Sequence, residues 1–411
     1  MKNPQAQQRK ILKVIHGYPP YYMAGSEVYS FNLCNELKKD NSVFVFTRIE
    51  NPYAPPYAVS ESNEGDIHIL RVNKPTRDYT FKDKYLDTKI DKIFRDYLER
   101  VSPGVVHIGH ISHLSTGILN VIKEKGIPIV FTVHDFWMGC FRGQYIKPDM
   151  SVCEGKSTEN CLNCARYFFK DWMSVEEITT YEDHMKHVLA HVDHFLIPSQ
   201  TLMSFYREMG VPGEKLVFSP YGFDKNRISV KKVKQMIPDK INFGFIGRVI
   251  PVKGVHLMLK TFKRTKGEAQ LFLYGALGSD AKFLRQIKGK DKRIHFMGGF
   301  DNTDIEKVLH SIDILIVPSI WLENAPLVIQ EAFLAGVPVI TSNTGGMGEL
   351  VKHQENGLTF PIANEDALYK VLQSVINSPE QIAQLTPDPA SVRSIADDAS
   401  FCNHIYQRVS N

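Results

Sequence analysis

Short apolar runs, each closed by glycine, proline or a small polar residue and several followed by a stretch of helical spacing, recur through this chain, and that rhythm constrains its fold class. In the first half the runs fall at 11–16, 43–47, 105–110, 128–134 and 194–198, with a helix-like stretch such as 26–38 between them. The second half repeats the design at 241–247, 270–275, 293–297, 312–318 and 337–341. Brief runs alternating with helices are the strands of parallel sheets, so each half is expected to be an α/β, Rossmann-like, doubly wound domain. At 411 residues the chain exceeds the roughly 250 to 300 that one core usually supports, which also argues for two domains. The basic, aperiodic stretch 224–238 suits an exposed hinge, giving expected domains at 1–222 and 223–385 and a closing segment at 386–411. Ligands of such sheets sit beyond the carboxyl ends of the strands, so two facing sheets would enclose a cleft between domains.

The strand ends of the second half hold the residues with chemical capacity. The first run there leads into GRVIPVKG at 247–254, which brings two cations, Arg248 and Lys253, to the carboxyl end of a strand beside Gly247. Farther on, ENAPLVIQE at 323–331 follows the run at 312–318, and its spacing, its proline and the stop at Gly336 predict a helix over 326–335. Glu323 then lies on the loop leaving the strand and Glu331 lies more than a turn inside the helix. The two acids frame a helix N-terminus whose free N–H groups attract anions. Carboxylates flanking an anion site are suited to accept hydrogen bonds from hydroxyl groups on either side of a phosphate, and a sugar nucleotide has hydroxyls on both sides of its diphosphate. Departure of a nucleoside diphosphate builds negative charge that a metal or fixed cations must meet. No Asp-x-Asp triplet occurs in the sequence, which favours a site without a catalytic metal.

The first half carries looser signals. Gly25 and Ser26 open a helix after a Pro- and Tyr-rich loop, where backbone N–H groups could reach the same phosphate; a tight turn with an ordinary N-cap is the alternative. His134 ends the fourth run and is followed by Asp135, which is placed to fix its ring. Four of the six cysteines, Cys140, Cys153, Cys161 and Cys164, fall in an aperiodic loop at 138–167 assigned to the first domain. They match the ligand types of a structural zinc site, and equally four ordinary buried thiols, because their spacing is irregular. Residues 81–101 read as one amphipathic helix with near-balanced charge, suited to core packing more than to a membrane surface.

Composition excludes several classes. With 49 basic and 45 acidic residues, a formal charge of +4, nothing marks a nucleic-acid partner. No apolar run reaches the ~20 residues of a membrane span, and the polar start is unlike a signal peptide, so a cytoplasmic protein is expected. Neither glycine-containing loop after a first strand gives G-x-G-x-x-G, which argues against a dinucleotide enzyme.

Gly-Arg-x4-Lys-Gly followed by Glu-x7-Glu within WLENAPLVIQEAFLAGVPVITSNTGGMGELV resembles the retaining glycosyltransferases of GT-B fold, the large family 4 group, also described as glycosyl transferases group 1. VVHI at 105–108, FTVHD at 131–135 and a closing segment at 395–409 extend the likeness over nearly the whole chain. The resemblance implies two facing Rossmann-like domains, a final helix returning to the first, and transfer of a hexose from a UDP- or GDP-sugar to a glycan or lipid-linked acceptor in cell-envelope polysaccharide synthesis. The site would lie at the inner face of the membrane and need no catalytic metal. It further implies that Arg248 and Lys253 hold the diphosphate, that Glu323 contacts the donor sugar and that Glu331 holds the ribose. Asn324, Ala325, Pro326 and Leu327 would meet sugar and phosphate, with base contacts from the backbone of Gly298, Gly299 and Phe300. His134 would line the junction of donor and acceptor in a positioning role, since the leaving phosphate takes the acceptor proton. His107, His110 and His113, spaced by three, are expected to line the acceptor pocket, because one strand cannot converge them on a metal. An epimerase, a phosphorylase of the same fold or a non-catalytic nucleotide-sugar sensor are the competing readings; the pyridoxal lysine of a phosphorylase is not located.

Overall fold

The computed structural model describes residues 8–74, 80–169, 173–231 and 240–410. Residues 232–239 of the expected hinge lie outside the described residues. The chain divides into two compact units. The first comprises 1–143, 154–223 and 394–411, and the second comprises 144–153 and 224–393.

The first unit is built on an eight-stranded sheet. Its strands are β1 (Lys10–Val14), β2 (Ser42–Ile49), β3 (Val59–Glu64), β4 (Ile67–Asn73), β5 (Val105–Ile108), β6 (Ile129–Thr132), β7 (His194–Ile197) and β8 (Leu216–Phe218). They lie in the order β3-β4-β2-β1-β5-β6-β7-β8, and every pair is parallel except β3 with β4. The central strands read as continuous apolar runs because both faces are covered by helices. β3 was not foreseen: VSESNE has no apolar alternation, as befits a solvated edge strand. The helix expected at 81–101 forms only over Thr88–Val101, where Asp87 caps it by accepting from the N–H groups of Lys89 (3.0 Å) and Ile90 (3.2 Å). Its stripe of Ile90, Phe94, Tyr97 and Leu98 is buried, so the helix packs into the core. The final helix, Ile395–Ser410, belongs to this unit. Its buried Asp398 accepts from Tyr29 Oη and from the Gly222 N–H, both at 2.9 Å.

The second unit has six parallel strands: β9 (Ile241–Ile246), β10 (Ala269–Tyr274), β11 (Ile294–Gly298), β12 (Ile314–Val317), β13 (Val339–Ser342) and β14 (Gly357–Phe360). Their order is β11-β10-β9-β12-β13-β14. Counted within the unit this is 3-2-1-4-5-6, the Rossmann order, in which the connections diverge to opposite faces between the first and fourth strands. Phe243, Met258, Phe262, Leu271, Ile316 and Leu372 are among the residues of its core. Among the described residues no helix is long and apolar enough to cross a membrane.

The loop expected at 138–167 is corrected. Residues 144–153 form a hairpin, bridged at Ile146 and Val152, that belongs to the second unit, and Thr158–Phe169 is a helix with Leu162 and Ala165 buried. A two-sided hairpin and a helix with few apolar anchors leave no clear period in sequence.

Candidate functional site

β9 and β12 are neighbours at the divergence of the second unit's sheet, the point at which open α/β sheets generally form a ligand crevice beyond the carboxyl ends of their strands, and the loops that follow both strands are held by residues without side chains. The loop after β9 passes exposed Arg248, makes a 3-10 turn at Pro251–Lys253 and ends at Gly254 with φ 72°. A Cβ on Gly254 would stand 1.8 Å from the Pro318 carbonyl oxygen, so only glycine lets this loop lie against the end of β12. The loop after β12 is clasped from its other side by the turn after β13. There the Gly346 N–H donates to the Glu323 carbonyl oxygen at 2.8 Å, and a Cβ on Gly346 would fall 1.2 Å from the Asn324 carbonyl oxygen.

These loops bring Lys253 and Glu323 together. Lys253 Nζ donates to Glu323 Oε1 at 2.5 Å, the same oxygen accepts from Ser319 Oγ at 2.7 Å, and the ammonium lies 5.5 Å from the centre of the Trp321 ring. Glu323 and Asn324 are buried, while Lys253 is half-buried. The helix that follows spans Leu327–Leu334, with Pro326 at its N-cap rather than in its first turn. Glu331 lies in its second turn. Desolvation raises the Glu331 carboxyl to about 7, and Arg227 is the charge that opposes the rise. Gly298 closes β11 with φ 81°, its carbonyl oxygen accepts from the Gly275 N–H at 2.7 Å, and Phe300 sets its ring edge-on to Tyr274. Gly247, Arg248, Lys253, Gly298, Gly299, Phe300, Glu323 to Leu327 and Glu331 thus all follow carboxyl strand ends of one sheet.

In the first unit the corresponding strand ends are those of β1 and β5. His16 and His110 stand edge to face there, 4.5 Å between ring centres. His16 Nε2 lies 3.1 Å from Glu27 Oε1, and Ser26 Oγ donates to the other oxygen of Glu27 at 2.9 Å. Burial pushes the Glu27 carboxyl upward, but His16, the residue's own N–H and Ser26 outweigh it and bring the value to about 2. The helix they open, Gly25–Leu37, has Ala24 at its N-cap and no capping side chain. His110 Nδ1 accepts from the Ser112 N–H at 3.2 Å, which leaves its Nε2–H to donate to Asp135, also at 3.2 Å. A small cavity is lined by His110, His134, Asp135, Trp137 and Tyr206.

Two expectations about histidines are corrected here. Asp135 does not fix the ring of His134, because successive side chains at a strand end point to opposite sides; it holds His110 and the Trp137 N–H instead. His134 pairs through Nδ1 with Tyr221 Oη at 2.6 Å, and burial, then Lys13, keep its ring neutral. His107 does not line a pocket. It is fully buried, with Nδ1 2.6 Å from Tyr406 Oη and Nε2 2.7 Å from Thr132 Oγ1, so both nitrogens are used inside the fold. His113 takes φ 58°, and burial followed by the Arg48 charge lowers its ring to about 3.

The cysteines are divided. Cys161 and Cys164 are one turn apart on the 158–169 helix, whereas Cys153 belongs to the hairpin of the second unit. Among the described residues no group of three or more His, Cys, Asp or Glu side chains is placed to hold a metal ion, so the geometry gives the zinc expectation no support. Sequence reasoning assigned no individual role to Ser319, Trp321, Gly254 or Gly346, although Trp321 and the two glycines lie within the motifs that carry the family resemblance.

Residues 23–227 match the family model described as Glycosyltransferase Family 4, and residues 227–387 match Glycosyl transferases group 1. The chain is 25% identical over 251 residues to a putative colanic acid biosynthesis glycosyltransferase, WcaL, of Salmonella typhimurium, covering 55% of this chain and 61% of that one. It is 26% identical over 160 residues to an uncharacterized glycosyltransferase of Methanocaldococcus jannaschii, covering 36% and 40%. The chain therefore spans less than two thirds of the length of these curated relatives. Among solved structures, a sucrose-phosphate synthase from Thermosynechococcus elongatus superposes with TM-score 0.72 at 16% identity over 98% of this chain and 99% of that one. Anabaena HepE in complex with UDP and glucose gives 0.67 at 16% identity over 98% and 100%. These structural likenesses concern the fold.

Proposed function

We infer the reaction from the family, since this chain belongs to the group 1 glycosyltransferases, and we propose that it moves a hexose, with retention, from a UDP- or GDP-sugar to a hydroxyl of a glycan or lipid-linked acceptor. The observation that carries this reading is the pairing of Lys253 with Glu323 at the Rossmann divergence, with Arg248 exposed on the same loop as Lys253. Such a crevice is where open α/β sheets bind nucleotides. Without donor, the Lys253 ammonium is held by Glu323 and has further N–H groups for phosphate oxygens. When the diphosphate enters, it takes the ammonium, and Glu323 turns its acceptor capacity to the sugar hydroxyls. Glu331 receives the ribose hydroxyls one helical turn away.

In the reaction the bond from the anomeric carbon to the diphosphate breaks while the acceptor oxygen bonds that carbon on the same face. The acceptor proton passes to the departing phosphate, so no protein base is needed, and neutral His134 has a positioning role. Arg248 and Lys253 meet the charge on the leaving oxygen, which makes a metal-independent departure the favoured course. The His110–Asp135 and His16–Glu27 pairs are the acceptor-side candidates. Relatives named for colanic acid and amylovoran synthesis support a place in polysaccharide assembly; the cytoplasmic face of the membrane is our proposal for where it acts.

Thermal unfolding with UDP, GDP and ADP, each with EDTA, tests the reading. A ligand at 100 times its Kd adds ~2.7 kcal/mol of stability, so one diphosphate should raise the midpoint while the others do not. If none does, the donor assignment fails. Binding of a UDP- or GDP-sugar without turnover of any acceptor would favour the sensor reading.

A further inference from the structure

The second unit contains a piece of chain that the sequence order places deep in the first half. Residues 144–153 form a built hairpin, not a slack loop. The Lys147 N–H donates to the Ser151 carbonyl at 2.8 Å and the Cys153 N–H to the Tyr145 carbonyl at 2.9 Å. Asp149 braces the turn by accepting from the N–H (2.9 Å) and Oγ (2.7 Å) of Ser151, while Met150 takes φ 71°. From it Ile146, 2% exposed, and Met150 enter a small apolar cluster with Val252, Leu257, Ile320 and Trp321.

The membership of that cluster is informative. Val252 immediately precedes Lys253 on the loop after β9. Ile320 and Trp321 lie three and two positions before Glu323 on the loop after β12. The Ile320 N–H donates to the Val252 carbonyl at 3.1 Å, so the two loops touch through backbone and share one apolar support. The neighbours of Lys253 and Glu323 along both loops therefore pack in one cluster with side chains of the hairpin.

We propose that the 144–153 hairpin is a positioning element of the donor site, acting through Val252, Ile320 and Trp321 to hold Lys253 in register with Glu323. The proposal rests on the donor reading above. Neither Ile146 nor Met150 is assigned contact with substrate. Their effect passes through Lys253 and should depend on its presence.

A double-mutant cycle on the full chain tests this, read by calorimetry with UDP, or with GDP where GDP binds the wild type more tightly. Met150→Ala and Ile146→Ala are each expected to weaken diphosphate binding about five- to twentyfold, with Ile146→Val restoring most of the loss, on the scale of a small displacement at a preorganised contact. In a Lys253→Ala background the same hairpin changes should weaken binding less than twofold further. In a Glu331→Gln background they should act in full, because Glu331 belongs to the ribose end. A merely structural hairpin would lower the unfolding midpoint while leaving Kd unchanged well below it, and that result overturns the proposal. So does an equal hairpin effect with and without Lys253. If Ile146→Ala does not fold, Met150→Ala carries the same comparison. The donor reading fails separately, if Lys253→Ala binds the diphosphate as tightly as the wild type, or if neither diphosphate binds at all.

Discussion

Of the two acids proposed to accept hydroxyl groups, Glu331 sits in surroundings that alter its titration. The Glu331 carboxyl, raised from 4.5 to about 7 first by desolvation, is largely protonated at pH 6. Between those values the folded chain holds more protons than the unfolded one, so this residue's contribution to stability is fully present below pH 4.5 and falls as pH rises through 7. Ribose binding should run the opposite way, because the ionised carboxylate is the better acceptor. Calorimetry should show diphosphate binding roughly tenfold weaker at pH 6 than at pH 8, an amount one unit of titration corresponds to. Glu331→Gln should remove that difference, leaving only the titration of the ligand's own phosphate. At pH 8 Glu331→Gln should weaken binding of the free diphosphate by ~1.5 to 3 kcal/mol, while Glu323→Gln should mainly lower kcat with a sugar donor. Equal losses from both changes would mean the two acids are assigned to the wrong ends of the donor. For the cations, Arg248→Ala and Lys253→Ala should each reduce turnover ~10² to 10³-fold with the far-ultraviolet spectrum unchanged, and activity should survive EDTA. Restoration by magnesium of activity lost to EDTA would count against the metal-free course. His107→Phe offers a contrast. By leaving Tyr406 Oη and Thr132 Oγ1 without their partner it should cost ~1 to 3 kcal/mol in urea unfolding and leave acceptor KM unaltered.

At the scale of elements, the site depends on loops that approach one another more closely than any side chain permits. Gly346→Ala places a methyl group 1.2 Å from the Asn324 carbonyl oxygen, so the loop bearing Glu323 must move. We expect turnover to fall at least ~10²-fold, the scale of a 1 Å misplacement, with the variant still folded by circular dichroism. Wild-type kinetics in that variant would show that the clasp is not what sets Glu323. These elements also mark how far the sequence could be read. The runs that became β1, β2, β5 to β7 and β9 to β13 were legible because buried parallel strands are continuous apolar segments. The cation loop and acid loop were legible because each joins such a run to charged residues. β3 was hidden by its polar edge position, and the partner of His134 was hidden because Tyr221 lies far along the chain. The hairpin at 144–153 was hidden for the same reason: Ile146 and Met150 pack against Val252, Leu257, Ile320 and Trp321, contacts that no local pattern records.

For the molecule as a whole, the two units are not two consecutive lengths of sequence. The first unit is interrupted at 223 and resumes at 394, and it is sealed there by the Ile395 N–H donating to the Phe223 carbonyl at 2.8 Å. The ends of the long 224–393 stretch thus enter and leave at neighbouring points, which on its own would make that stretch a convenient cassette for recombination. The packing of the hairpin against that stretch argues against so simple an exchange. A chimera that received 224–393 from a relative, but kept its own 144–153, would present a foreign pair of side chains to the cluster of Ile320 and Trp321. If the hairpin positions the proposed donor site, a transplant that carries both segments should retain its nucleotide affinity where a transplant of the longer segment alone loses it.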